Sequence, residues 1–281
     1  MDSYCVLGFL LVCMFLAWRH ADAAKEGEVS FNENYKVLWG SDHVQLLNQE
    51  KEVRLTLDPS SGAGIESKTM YGSGYFQMKI KLPEKNSIGA VTTFYLISHS
   101  NIHDEVDFEF LGNETTPYTL STNIFINDGG GREQQFHLWF DPTKDFHSYS
   151  LLWNQHQIAL FVDHVPIRVY KNKTILGAEY PTQPMYIDAS LWHGDGWASG
   201  GKPIDWSQAP FNAYYKELSP IHACPLQDNT NTQHCHSSKF WWNGEKHWEL
   251  NPQQQSSYEH VRKTYMFYDY CANNPTPLPE C

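Results

Sequence analysis

The sequence predicts an all-β chain, a two-sheet sandwich with a disulfide-stapled C-terminal extension that carries one helix. Three observations lead there. From Tyr75 to Leu82, Phe76, Met78, Ile80 and Leu82 alternate with Gln77, Lys79 and Lys81, which is the period of a half-buried strand. Between about Phe31 and Tyr215, short runs rich in Val, Ile, Phe, Tyr and Thr recur at near-regular intervals, with no alternation of strands and helices. Four cysteines, Cys224, Cys235, Cys271 and Cys281, are gathered in the last fifth of the chain.

Taken in order, the chain opens with an apolar segment, Tyr4 to Trp18, that carries no charge and is followed by the small-residue stretch Ala21-Asp22-Ala23-Ala24. It is too short to span a bilayer and ends like a cleavage site, so residues 1–24 read as a secretory leader. Removing it takes away Cys5 and Cys13 and leaves an even set of four. In an exported chain that set reads as two disulfides. Three pairings are possible; Cys224–Cys235 and Cys271–Cys281 are expected because each closes a short local loop. A zinc site is the rival reading, since His222, His234 and His236 lie near. The absence of a C-x2-C pair and the oxidising compartment speak against it.

The β domain is expected over residues 25–215 and the extension over 216–281. Strands are expected at Tyr75–Leu82, Ala90–Ser98, Thr119–Ile126, Ser148–Trp153, Ile158–Asp163 and Met185–Trp192. Turns are expected at Gly62-Ala63-Gly64, Asn127-Asp128-Gly129-Gly130-Gly131 and Asp141-Pro142. One helix follows Asn251-Pro252, where Tyr258, Val261 and Tyr265 fall at spacings of three and four. The chain has 10 Trp, 16 Tyr and 15 Phe with a formal charge of -12. That charge excludes a partner held through phosphates, and the aromatics suit a neutral, stacking ligand such as a sugar.

The sharpest feature is His103-Asp104-Glu105-Val106-Asp107-Phe108-Glu109-Phe110-Leu111-Gly112-Asn113. On a strand, Val106, Phe108 and Phe110 share one face, and Glu105, Asp107 and Glu109 share the other. Alternate Cα atoms lie about 6.6–6.8 Å apart, so three carboxyls with no Lys or Arg among them repel one another and share protons. Paired carboxyls of this kind cleave or transfer glycosides, one as nucleophile and one as proton donor. Retention of configuration needs them about 5–5.5 Å apart. Glu105 and Glu109 have Cα atoms about 13 Å apart on a straight strand. Inward-leaning side chains on a curved strand can close that gap. Asp107, shorter and between them, suits the role of a helper that holds the nucleophile. No metal and no cofactor are implied, because carboxyls alone run this chemistry.

This run closely resembles the H-D-E-I-D-F-E-F-L-G-N signature of the plant xyloglucan endotransglucosylase/hydrolases, a branch of the family-16 glycoside hydrolases, with Val106 replacing Ile. The resemblance extends along the mature chain through Ser60-Ser61-Gly62-Ala63-Gly64, Leu138-Trp139-Phe140-Asp141-Pro142, Val165-Pro166-Ile167-Arg168 and Asp205-Trp206-Ser207-Gln208-Ala209-Pro210-Phe211. It implies a β-jelly-roll with a concave cleft, with Glu105 as nucleophile, Asp107 as helper and Glu109 as general acid/base. It also implies sugar contacts at Tyr95, Asn123, Glu133, Trp192, Trp197, Gly201 and Tyr268, and glycans at the sequons of Asn113 and Asn172. Trp139, Trp153, Trp241, Trp242 and Trp248 are expected to pack. Three positions depart from the family pattern: Ser121 stands where it has Gln, Gln135 where it has Arg, and Ala272-Asn273-Asn274-Pro275 where it has an Arg-bearing segment.

The implied activity is endo-acting transfer of xyloglucan through a covalent glycosyl-enzyme, in the plant cell wall. The short stretch Ala198-Ser199-Gly200-Gly201-Lys202-Pro203 resembles the transferase-rich branch more than the hydrolytic one. A predominantly hydrolytic enzyme, a related β-glucan transferase and a non-cutting polysaccharide-binding sandwich are the alternatives. Expected partners are xyloglucan polysaccharide and oligosaccharide acceptors, with no nucleic acid, no membrane once the leader is gone, and a monomeric enzyme.

Overall fold

A computed structural model describes residues 30–114, 118–194, 196–218, 222–228, 231–276 and 278–281. The leader expected at residues 1–24 lies outside them. The first strands are β1 (Tyr35–Trp39), β2 (Val44–Leu47), β3 (Glu52–Leu57), β4 (Ala63–Ser67), β5 (Met70–Lys81) and β6 (Ala90–Ile97). Next come β7 (Glu105–Leu111), β8 (Thr119–Phe125), β9 (Gln134–His137), β10 (His147–Trp153), β11 (Gln157–Val162) and β12 (Val165–Lys171). The last are β13 (Tyr186–His193), β14 (Phe211–Lys216), β15 (His222–Leu226) and β16 (Met266–Asp269).

Two sheets result, one ordered β1-β4-β13-β6-β7-β8-β9-β16 and the other β12-β11-β10-β5-β14-β3-β2, with β15 also paired to β5. The expected two-sheet sandwich is what forms. Its core lies between the inner faces. Val106, Phe108 and Phe110 are fully buried there, and Phe110 meets the opposite sheet's Tyr149 edge-to-face at 4.6 Å. Burying each such aromatic stabilises the fold by roughly 1.5–3 kcal/mol. Because those residues turn inward, Glu105, Asp107 and Glu109 are left on the outer face of the first sheet.

One expected turn is a strand instead. Ala63 and Gly64 belong to β4, and Gly62 adjoins it. A Cβ at Gly62 would meet the Leu191 carbonyl at 2.1 Å, and one at Gly64 would meet the Trp39 indole at 2.3 Å. These glycines permit close approach, so the triplet that looked like punctuation is a packing device.

The extension contributes a strand to each sheet, β15 along β5 and β16 along β9. Cys224 is bonded to Cys235, and Cys271 to Cys281. The expected helix runs Pro252–Thr264, with Asn251 and Gln254 forming a reciprocal cap and Val261 buried. Two single-turn helices, Phe31–Asn34 and Tyr270–Asn273, were not legible because four residues carry no periodicity. Trp153 and Trp242 are buried as expected, but Trp241 and Trp248 are 36% and 41% exposed. They still pack against aromatic neighbours, Trp248 on His156 at 4.1 Å and Trp241 among Tyr75, His222, Trp242 and His247 at 4.7–5.9 Å.

Candidate active site

Strand β7 lies between β6 and β8, and its register sets the site. Asp107 faces Tyr95 on one side and Asn123 on the other; Glu109 faces Thr93 and Ser121; Glu105 faces Ile97 and Phe125. Asp107 is 2% exposed, and both its oxygens are buried with no hydrogen-bond donor reaching them among the described residues. Burial first, then Glu105 and Glu109, push its pKa well above the usual carboxyl range. Glu105 is raised too, by burial, with the neighbouring Asp107 and the charge of His103 opposing the rise. Asp107 is thus the more strongly raised of the two, because it is the more deeply buried and has an acidic neighbour on either side.

Glu109 is pushed up to about 7 by burial, with Glu105 and Glu133 adding to the rise and the Ser121 hydroxyl opposing it. The strand thus presents three carboxyls on one face, all raised by burial and Asp107 most strongly. His103 opens the carboxylate motif. Its Nε2 lies 3.3 Å from Glu105 Oε2, while its Nδ1 meets Asp128. The turn after β8 places Asp128, whose φ of 65° is left-handed. At a sequence separation of 25, spacing alone carried no signal for that contact.

The other expected contacts separate into groups. Tyr95 is half-buried beside Asp107, and burial raises its pKa, with Asp188 and the site carboxyls adding to the effect. Trp192 and Trp197 stack in parallel at 6.2 Å, and Trp197 is 52% exposed. Gly201 is exposed at φ 88° with open space around it. Tyr268 is 37% exposed and pairs through β16 with Gln135, which itself faces Ser121. Asn123 is 5% exposed, and its Oδ1 accepts from the backbone N–H groups of Ile124 and Arg132. That carbonyl is committed to holding the loop before β9. Glu133 is half-buried and its backbone carbonyl accepts from Tyr270, so the loop is tied to the extension.

Two supporting groups were missed. Arg168 is fully buried, donating through Nη1 to the Thr122 carbonyl at 2.7 Å and hydroxyl at 2.9 Å, and through Nη2 to the Arg132 carbonyl at 2.6 Å. It braces β8 and the β9 loop from the core side. Glu280 accepts from Arg132 Nε at 2.9 Å, and Lys173 Nζ donates to its carbonyl. The end of the chain is thereby anchored beside the site. Asn113 is exposed, whereas Asn172 already donates through Nδ2 to the Gln155 carbonyl.

With this geometry, comparison with known proteins is informative. Residues 31–208 match the family model of the glycosyl hydrolases family 16, and residues 236–281 match that of the xyloglucan endo-transglycosylase C-terminus. The chain is 50% identical over 286 residues to xyloglucan endotransglucosylase/hydrolase protein 2 of Arabidopsis thaliana, covering 99% of this chain and 97% of the relative. The chain belongs to the xyloglucan endotransglucosylase/hydrolase family. It is 43% identical to xyloglucan endotransglucosylase protein 2 of Diospyros kaki, over 98% of this chain and 95% of that one. Among solved structures, the Bacillus licheniformis β-glucanase superposes with a TM-score of 0.56 at 23% identity, over 65% of this chain and 89% of its own. The family's sandwich therefore extends to that β-glucanase as a fold, while the extension sets this branch apart.

Proposed function

We propose that this chain is a retaining transglycosylase that cuts β-1,4-glucosyl links inside xyloglucan and rejoins the donor end to another xyloglucan chain. The observation that carries the reading is the row of Glu105, Asp107 and Glu109 on one face of β7, flanked by Tyr95 on one neighbouring strand and Ser121 on the other. Glu105 attacks the anomeric carbon as the glycosidic C–O bond breaks, and Glu109 gives its proton to the departing oxygen. Asp107, holding its own proton, hydrogen-bonds Glu105 and keeps the nucleophile in place. In the second step the 4-hydroxyl of an acceptor gives its proton to Glu109 and attacks the same carbon, releasing Glu105.

Transfer outcompetes hydrolysis when acceptor groups hold that hydroxyl at high effective concentration. Tyr268, brought to the edge of the site sheet by the extension, supports an acceptor role, and Trp192 and Trp197 support stacking of glucosyl faces. The short turn carrying Gly200 and Gly201 is tied down by Lys202 Nζ to Glu114 Oε1 at 2.8 Å. Among the described residues no helix is long and apolar enough to cross a membrane. With the leader-like residues 1–24, that supports secretion to the cell wall.

The test is transfer from xyloglucan to labelled xyloglucan oligosaccharides, read as product size. Acceptor-dependent shortening is expected, abolished in Glu105→Ala while polysaccharide affinity persists. Reducing-end release indifferent to acceptor would mean hydrolysis, and unimpaired function in Glu105→Ala would mean a binding module.

A further inference from the structure

Further along the same outer face, on β4, β13 and the end of β6, Glu66, Asp188 and His99 form a polar cluster to which the proposed reaction assigns no role. Lys36, Glu66, Asp188, Tyr95 and Asp107 follow one another in register across β1, β4, β13, β6 and β7. Glu66 is 1% exposed and Asp188 2%, an unusual depth for two adjacent carboxyls. His99, just beyond β6, brings its Nε2 to 3.5 Å from Glu66 Oε1. One ligand atom from each of Glu66, His99 and Asp188 lies within 4.8 Å of the others. Asp188 Oδ1 is buried there with no hydrogen-bond partner among the described residues.

We propose that Glu66, His99 and Asp188 bind a first-row divalent cation, zinc being the best match. One imidazole and two carboxylates suit zinc better than calcium, which takes six to eight oxygens. A tetrahedral ion with bonds of about 2.0–2.2 Å holds its ligand atoms about 3.4 Å apart. The Glu66–His99 separation of 3.5 Å already has that value. Each ligand is also held from behind, as metal ligands are. Lys36 Nζ bonds Glu66 Oε2 at 2.9 Å, leaving Oε1 for the ion. Tyr186 stacks on the His99 ring at 4.6 Å, and Tyr95 stands opposite Asp188 across the β6–β13 pair. Water completes the coordination. The ion would clamp β4, β13 and the end of β6 together beside the substrate face, as a strut and not as a participant in bond cleavage. The other cluster with suitable atoms, Cys224, His234 and Cys235, has its sulfurs committed to a disulfide.

The test is calorimetric titration of the full secreted chain with zinc chloride. One bound ion is expected, with affinity falling at least about tenfold in both His99→Gln and Asp188→Asn and unchanged in His234→Gln. Anomalous diffraction at the zinc edge is expected to place the ion among the three side chains. Because His99 is exposed, His99→Gln keeps the fold testable even if Asp188→Asn does not. No heat of binding, or an affinity that His99→Gln leaves within twofold, would overturn the proposal.

Discussion

His103 Nε2 stands 3.3 Å from Glu105 Oε2, with Asp128 on the other side of the ring. The imidazole is thus oriented by one carboxylate and lies in ion-pair range of another, the proposed nucleophile, whose pKa its charge lowers. Removing that charge in His103→Ala is expected to lower kcat for transfer severalfold. KM should change little, because His103 supports the nucleophile. Initial rates with xyloglucan and a labelled acceptor decide it. An effect confined to KM would make His103 a substrate contact instead.

In the proposed mechanism Glu109 gives its proton to the departing oxygen, and the pH profile follows from that. It is protonated below about 7 and loses that proton as pH rises through about 7, so the transfer rate should fall on the alkaline side there. Ser121→Ala removes the hydroxyl that lowers Glu109, and the alkaline limb should move to higher pH. Stability carries the same sign. A carboxyl raised on folding supports the native state fully below its unfolded pKa and loses that support as pH rises through the folded value. The melting temperature of Glu109→Gln should therefore depend less on pH between about 4.3 and 7 than that of the parent. Parallel melting curves would contradict the elevation.

The Cys271–Cys281 bond holds the end of the chain near β16, where Tyr268 sits, while Glu280 grips Arg132. In the loop-entropy account a bond closing about ten residues contributes about 2–3 kcal/mol. Cys281→Ser is expected to lower the melting temperature by several degrees and to raise the hydrolytic share of the products, since acceptor groups on β16 loosen. Stability loss with an unchanged product ratio would separate the extension from acceptor binding.

Arg168 is expected to be structural. Replacing it with Met leaves the Thr122 and Arg132 carbonyls buried without their donor, at a cost of about 1–3 kcal/mol for each unmet group. Denaturant unfolding of Arg168→Met should show a loss of at least about 3 kcal/mol. A loss under 1 kcal/mol would mean that other donors replace the guanidinium.

Trp197 projects into solvent against Trp192, which suits a glucosyl face better than a core. Trp197→Ala should raise KM for xyloglucan severalfold while leaving kcat nearly intact, as loss of stacking worth about 0.5–1.5 kcal/mol requires. Binding curves with the polysaccharide alone give the same comparison without turnover.

The runs around Tyr75, Ala90, Thr119 and Tyr186 were legible as strands because alternation and β-branched residues record burial on one face. The acid face of β7 was legible for the same reason: three carboxyls two residues apart can only share a side. Gly62 and Gly64 were misread, since a glycine that admits a neighbouring indole resembles one that turns the chain. The contacts of His103 with Asp128, Arg168 with Thr122, and Arg132 with Glu280 left no trace in local pattern.

What the sequence determined by itself was therefore the set of acidic groups, the sandwich class and the cysteine-bearing extension, all properties of local period and composition. How strongly each carboxyl is raised was decided only by the tertiary structure. Burial is the largest cause for all three, and it is created by strands and loops far apart along the chain.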